Sequence, residues 1–178
     1  MTDPSPRLFH FSHDPDITEF VPHVPATNPE QPPSVWAIDE LHQSAYWFPR
    51  DCPRATVWPR DEAQRPGFET AFETTASRVH FVETAWAHRM NDLPLYRYEF
   101  ASETFEPWPD AVGQWTSGRA VRPVAVERVA DQFELHRRAG VDLRVVDDLW
   151  PWVDRIVEGP WEFSCIRLRY ARPRSDPS

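Results

Sequence analysis

The sequence predicts an α+β fold in which short helices are interspersed among the strands of mixed or antiparallel sheets. Short apolar runs of strand length outnumber segments with helical periodicity, and the two kinds follow one another irregularly. The 5 glycines form no G-x-G-x-x-G pattern. Both observations argue against a doubly wound dinucleotide-binding sheet. The length fits a single domain, which we place at 7–171, with disordered tails at 1–6 and 172–178.

The first elements are short and are bounded by prolines. A strand is predicted at 8–12, between Pro6 and the turn segment "DPD". Asp14, followed by Pro15, predicts a single helical turn. A proline-rich loop of about fourteen residues then leads to a strand at 34–38.

A helix is predicted at 40–48. Asp39 is well placed to cap it, because its carboxylate can accept from backbone N–H groups of the first turn. Leu41, Ala45 and Phe48 recur at helical spacing and would share a buried face. Prolines at positions 49 and 53 end the helix.

The rest of the chain alternates strands with short helices. The polar stretch 59–75 is expected to be mobile, and the clearest strand pattern is the alternation within 94–101. A helix at 130–140 ends at Gly140, a natural C-cap. The other predicted elements are strands at 54–58, 78–83, 114–117, 121–130 and 141–148, helices at 84–92 and 149–159, and a final segment at 161–171.

The composition removes several classes of function. All 19 basic residues are Arg, so the chain has neither a Schiff-base lysine nor the lysine of a phosphate loop. The formal net charge of −9 repels polyanions and disfavours a nucleic-acid partner. No apolar run reaches the length of a signal peptide or a membrane span. We therefore expect a soluble, cytoplasmic protein with no membrane partner.

The segment "PRDCPR" places Arg50 and Arg54 on either side of Cys52. Paired guanidinium donors can clamp a phosphate or carboxylate, or they can form ion pairs with Asp51 and other nearby acids. They could also lower the pKa of the Cys52 thiol. Without a C-x-x-C spacing, Cys52 and Cys165 are expected to be reduced and structural.

A histidine-rich and acidic segment near the N-terminus offers a possible metal site. His10, His13 and Asp16 carry the nitrogen and oxygen donors that divalent metals use, so a metal-dependent hydrolase is one alternative. However, side chains of a strand alternate between its faces, and His10 and His13 would point in opposite directions. We therefore expect no metal.

Three segments together resemble the order of motifs in the ADP-ribosyltransferase-like superfamily: "LFHFSHDPDITEF", "VWAIDELHQSAYWF" and "GQWTSGRAVRPVAVERV". The resemblance implies a split sheet with NAD as cofactor. His10 matches the histidine that holds the NAD ribose. Trp36 and Tyr46 match the aromatic residues that sandwich nicotinamide, and Gln114 lies where the catalytic glutamate is expected. The chain also resembles a bacterial family of small proteins that share "LFH", "VWAID" and "PRDCPR".

The resemblance implies His10, Tyr46 and Gln114 as catalytic residues. The implied nucleotide-binding group contains His10, Ser12, Trp36, Tyr46, Arg50 and Arg54. The implied partner is a small-molecule nucleotide, with ADP-ribose transfer or cleavage of an N-glycosidic bond as the reaction.

The glutamine at position 114 departs from the superfamily pattern. A carboxylate there stabilises the oxocarbenium-like transition state, whereas an amide supplies no full charge. Losing one such interaction lowers the rate by roughly 10²–10³. Either Glu99, Glu103 or Glu106 substitutes for the missing acid, or the protein is a catalytically inactive nucleotide-binding module.

Overall fold

The computed structural model describes residues 5–25 and 29–174. In this part of the chain two sheets are accompanied by a few short helices, so the α+β prediction is confirmed. The chain divides into two compact units. The first contains the residues up to Tyr46 together with Pro94–Val129, and the second contains Trp47–Leu93 and the residues from Ala130 onward. The single domain at 7–171 stays a prediction, and most residues of the two predicted tails lie outside the described residues.

The elements are numbered in chain order. The strands are β1 Leu8–Ser12, β2 Val35–Asp39, β3 Arg54–Trp58, β4 Arg78–Glu83, β5 Leu95–Phe100, β6 Glu106–Pro107, β7 Gln114–Ser117, β8 Ala125–Val129, β9 Val141–Val146 and β10 Glu162–Ile166. The α-helices are α1 Arg65–Phe72, α2 Thr84–Ala87, α3 Gln132–Arg138 and α4 Trp150–Glu158, and the 3₁₀ turns are Gln43–Tyr46 and Leu168–Tyr170. No helix among the described residues combines the length and the apolar composition needed to cross a bilayer.

The first unit is built on an antiparallel sheet with the strand order β6-β7-β2-β1-β5-β8. One face of this sheet carries an apolar core, because residues two apart along a strand share a face. The buried members of this core are Leu8, Val35, Ala37, Tyr98, Phe100, Phe105 and Val121. The segment before the long loop is tied to the core by a bridge between Phe20 and Val121.

The second unit contains a mixed sheet with the strand order β10-β3-β4-β9, in which only the β4–β9 pair of the described strands is parallel. All six residues of β4 and the first four of β3 are buried. The apolar core of this unit lies between the sheet and two helices. Phe68 and Phe72 of α1 and Val153 and Ile156 of α4 pack in it.

The helical turn predicted after Asp14 is wrong. The Asp14 carboxylate instead accepts a hydrogen bond from the Asp16 backbone N–H at 2.9 Å, which folds the segment into a turn of a different kind. The Tyr98 hydroxyl donates to the Asp14 carbonyl and accepts from the Ile17 N–H. These tertiary bonds hold the segment out of a helical conformation.

The helix predicted at 40–48 is reduced to the 3₁₀ turn Gln43–Tyr46. The expected cap is present, since the Asp39 carboxylate accepts from the His42 N–H at 2.8 Å. However, Leu41 is 70% exposed, so the predicted apolar face does not form. Proline at position 49 disfavours a helical conformation at Phe48, so a helix cannot extend to the end of the predicted segment.

The stretch 59–75 contains a helix, α1, where mobility was expected. Pro66 lies in its first turn, a position that proline favours because its fixed φ suits a helix start. Phe68 and Phe72 are one turn apart and both are buried. The polar residues that surround these two phenylalanines obscured the pattern in the sequence.

Replacing Ile156 tests the core of the second unit. We expect Ile156→Ala to lower the free energy of unfolding by about 2–5 kcal/mol, because it leaves a cavity between α4 and the sheet. Val157 is 53% exposed on the same helix, so Val157→Ala should change it by less than about 0.5 kcal/mol. Urea unfolding of both variants measures the difference, and equal losses would contradict this description of the core.

Candidate functional site

The candidate site lies where β1 and β2 separate. Both strands are described in full, and they pair only at Leu8 with Asp39 and at Phe9 with Ile38. On its other side, β1 pairs with β5 along all five residues. The two strands therefore diverge after Phe9, in the middle of the sheet.

His10 links the two strands across this divergence. Its Nδ1 lies 3.0 Å from the backbone oxygen of Trp36. A carbonyl oxygen can only accept, so Nδ1 carries a proton and donates it in this bond. The ring also packs against Phe20 and Phe100, with centroids 4.9 Å and 6.5 Å away. These contacts fix both the tautomer and the orientation of the imidazole.

A cavity of about 160 Å³ opens at the divergence. Strand β1 contributes Phe9, His10 and Phe11, strand β2 contributes Trp36, Ala37 and Ile38, and Tyr46 and Gln114 complete the lining. The described residues that line it include no Asp, Glu or Arg. The cavity is thus largely aromatic, and four of its side chains, those of His10, Trp36, Tyr46 and Gln114, carry groups able to make hydrogen bonds.

Tyr46 and Gln114 form the polar end of the cavity. Tyr46 is the last residue of the 3₁₀ turn, and Gln114 begins β7 beside Ile38. The Gln114 amide nitrogen donates to the Tyr46 hydroxyl oxygen at 2.5 Å. The phenol oxygen thus accepts this bond.

Trp36 forms one wall and is held by a second tryptophan. The ring of Trp108 meets it edge to face, with centroids 5.2 Å apart. Trp108 belongs to the loop between β6 and β7, and its N–H donates to the Gln114 carbonyl at 2.8 Å. The same loop therefore supports both Trp36 and Gln114. The buried Trp36 Nε1 has no hydrogen-bond partner among the described residues.

Sequence reasoning missed a network that anchors this loop. The Asp39 carboxylate accepts from the Nδ1–H of His42 at 2.7 Å, and the Asp39 N–H donates to the carbonyl of Gly113 at 2.9 Å. Gly113 has φ +79°, and a Cβ there would lie 2.4 Å from Cγ and Nδ1 of His42. The D-x-x-H spacing at 39–42 is the one sequence signal that could have indicated the pair.

The structure brings together four of the predicted site residues: His10, Trp36, Tyr46 and Gln114 all line the cavity. The other three do not line it. Ser12 accepts a hydrogen bond from the Asp14 N–H at 3.2 Å and so stabilises a turn. Arg50 and Arg54 belong to the second unit, where the Arg54 guanidinium donates to the Cys52 carbonyl and lies over the Phe48 ring.

The proposed substitutes for a catalytic glutamate also lie outside the cavity lining. Glu99 is paired with Arg7 through two bonds of 2.9 and 3.1 Å. Hydrogen bonding to this arginine lowers the pKa of the Glu99 carboxyl below its ordinary value. Glu103 and Glu106 are exposed.

The other chemistries considered receive little support. Across residues 5–25 and 29–174, no three His, Cys, Asp or Glu side chains gather in the way a metal ion needs, so nothing there favours a hydrolase built on His10, His13 and Asp16. Both cysteines are free thiols. Burial raises the pKa of Cys52 to about 12 and that of Cys165 to about 11, so neither is an activated nucleophile.

Replacing Gly113 tests the network behind the cavity. We expect Gly113→Ala to lower the free energy of unfolding by about 1–3 kcal/mol, because a side chain is strained at this φ and meets His42. Gly118→Ala is the control, since its new Cβ meets no heavy atom within 4 Å and its φ is not positive. Urea unfolding gives the comparison. If both variants match the wild type, the contact with His42 does not hold the loop.

One protein-family model matches residues 9–171, and it is described as a family of unknown function (DUF6886). Neither the curated proteins nor the solved structures gave a match. The matched range includes every residue that lines the cavity, together with the strands of both sheets apart from Leu8. The chain therefore belongs to the DUF6886 family of unknown function.

Proposed function

We propose that the first unit binds a nucleotide such as NAD by enclosing one of its planar rings in the cavity where β1 and β2 diverge. One observation carries the proposal. His10, Trp36, Tyr46 and Gln114, which the resemblance to ADP-ribosyltransferase-like proteins singles out, come from four separate elements and line the same cavity. The residues that the resemblance assigns to one ligand therefore lie on the surface of one cavity.

The volume limits what part of a ligand can enter. A cavity of about 160 Å³ accommodates one six-membered aromatic ring, since an apolar cavity of about 150 Å³ can hold benzene. The ribose and phosphates of a nucleotide would remain outside. Three phenyl or indole rings, those of Phe9, Phe11 and Trp36, offer faces and edges for stacking on the enclosed ring.

The polar groups of the cavity suit a ring that bears an amide. Imidazole, phenol and carboxamide groups, here those of His10, Tyr46 and Gln114, are side chains that can form hydrogen bonds with an amide. No charged side chain lines the described cavity, so a ring that bears a carboxylate would lose its hydration without an ionic partner. Nicotinamide fits these requirements better than nicotinic acid.

The same set of lining residues favours binding of a nucleotide over rapid cleavage of its N-glycosidic bond. Breaking an N-glycosidic bond builds positive charge on the ribose, and a carboxylate is the group that stabilises it. Gln114 offers an amide, and its nitrogen is engaged with Tyr46. A catalytically inactive nucleotide-binding module is therefore the second candidate. Slow ADP-ribosyl transfer or N-glycosidic cleavage is the corresponding activity if the protein is an enzyme.

Calorimetry with NAD, nicotinamide and ADP-ribose tests the binding proposal. We expect NAD and nicotinamide to bind, and His10→Ala to weaken binding tenfold or more. Tyr46→Phe should weaken it about two- to tenfold, the effect of one hydrogen bond. Tyr96→Phe removes the same hydroxyl from a residue outside the cavity lining and should change nothing. No binding by wild type at millimolar ligand would end the proposal.

Nicotinamide release from NAD separates the enzyme from the binding module. If the geometry supports catalysis, Gln114→Glu should raise the rate of release by roughly 10²–10³ over wild type. Binding without release in both proteins identifies the module. Tyr46→Phe in the Gln114→Glu background controls for orientation, because it removes the hydroxyl that holds residue 114.

A further inference from the structure

Helix α3 of the second unit is attached to its sheet in an uncommon way. Its fully buried residues are both polar, namely Gln132 and His136, each 1% exposed. The aromatic residue of the helix, Phe133, is 38% exposed. A short helix normally docks through apolar side chains, which water and protons do not affect. Hydrogen bonds hold α3 instead, namely those of His136 and those that Asn91 makes with Asp131 and Gln132 at the start of the helix.

The buried side of α3 continues a chain of hydrogen bonds into the sheet. Nδ1 of His136 lies 2.6 Å from the Gln132 carbonyl oxygen, so this nitrogen donates. Nε2 of His136 lies 3.1 Å from Nδ1 of His80 on β4. With Nδ1 protonated, a neutral His136 can only accept at Nε2, and His80 must donate from Nδ1. The two rings meet edge to face, with centroids 5.2 Å apart.

These hydrogen bonds form together only while both imidazoles are neutral. A proton on Nε2 of His136 would face the N–H of His80. A proton on Nε2 of His80 would lie at a buried atom that has no hydrogen-bond partner among the described residues. Burial lowers the pKa of His136 to about 4 and that of His80 well below its ordinary value. Acid therefore favours release of α3, because the histidines bind protons more readily when the helix is released than when it is docked.

In the part of the chain that the structure describes, no negatively charged side chain is among the groups that act on either histidine. The charges that act on His80 are those of His136, Arg78 on β4 and Arg54 on β3, and all of them oppose protonation. Trp47 and Phe48 pack their uncharged rings on His136. The sheet partners of His80 are Thr56 and Leu143, which are also uncharged.

Acidic side chains of α3 and β4 have hydrogen-bond partners other than the two histidines. Glu134 of α3 is bonded to Arg137 and Arg138, which lower the pKa of its carboxyl to about 2. Glu83, also on β4, accepts from the backbone N–H of Arg172. The thiol of Cys52 stays neutral, with a pKa of about 12.

We propose that the His80–His136 pair is an acid-sensitive latch, which holds α3 on the sheet of the second unit at neutral pH and releases it on mild acidification. The apolar core formed with α1 and α4 contains neither histidine, so it keeps its packing. Both histidines belong to the second unit, and neither lines the cavity of the first unit.

The direction of the effect follows from proton linkage. The pKa of His136 has its ordinary value of 6.5 when α3 is released and is about 4 when α3 is docked. Docking is therefore strongest above pH 6.5 and weakens as the pH falls from about 6.5 to about 4. His136 alone makes release about 20 times more favourable at pH 5 than at pH 7. His80 adds to this effect in the same direction.

Hydrogen exchange of the full chain tests the latch. Exchange of α3 amides is compared with exchange of β4 amides at pH 7 and pH 5, after correction for the intrinsic rates. We expect α3 to lose protection about twentyfold or more between these pH values, while β4 changes little. His88→Gln, which replaces an exposed histidine of the same unit, should behave as wild type does.

The variants His136→Gln and His80→Asn remove the titrating groups. If they fold, the pH dependence of α3 exchange should decrease in each variant, because one buried histidine remains, and it should disappear in the double variant. If neither folds, ring NMR of the wild type decides the question. Both histidines should remain neutral until α3 is released, and titration of either ring near pH 6.5 with α3 still protected would overturn the proposal. Equal pH dependence in wild type and variants would also overturn it.

Discussion

The hydrogen bond from His10 to the backbone oxygen of Trp36 is the constraint on which the first unit depends. In a continuous antiparallel ladder, backbone N–H groups of one strand satisfy the carbonyls of the next. Beyond Phe9 this ladder stops, and an unsatisfied carbonyl at depth costs about 1–3 kcal/mol. The imidazole supplies the missing donor from 3.0 Å. The strands can therefore separate enough to leave a cavity, and the sheet remains intact on both sides of it.

This bond also determines the chemistry of the cavity. The bond at Nδ1 fixes the orientation of the His10 ring, and the bond from the Gln114 amide nitrogen fixes the position of the Tyr46 hydroxyl group. The loop that carries Trp108 and Gly113 fixes the opposite wall, through Trp36 and through the Asp39–His42 pair. Hydrogen bonds orient His10, Tyr46 and Gln114, and no carboxylate lines the described cavity, so this arrangement suits recognition of an uncharged amide more than stabilisation of a cation.

Strand positions were largely predictable from the sequence, because apolar runs and alternation reflect burial directly. The helices were less predictable. The segment 40–48 has the spacing of a helix but is shortened by proline, and α1 is defined by two phenylalanines within a polar stretch. Tertiary hydrogen bonds from Tyr98 overrode the helical preference of the segment after Asp14, and such long-range bonds leave no local pattern.

The cavity residues His10, Trp36, Tyr46 and Gln114 could be identified in the sequence as a set, although not from the character of any one of them. The roles of His42 and Gly113 could not, because their contact joins segments about seventy positions apart and depends on a backbone angle. The most direct test of the hydrogen bond between His10 and Trp36 is a long-range ¹H–¹⁵N spectrum of the His10 ring at neutral pH. We expect a neutral ring with the proton on Nδ1 and a coupling across the hydrogen bond to the Trp36 carbonyl. A ring protonated on Nε2 alone would contradict it.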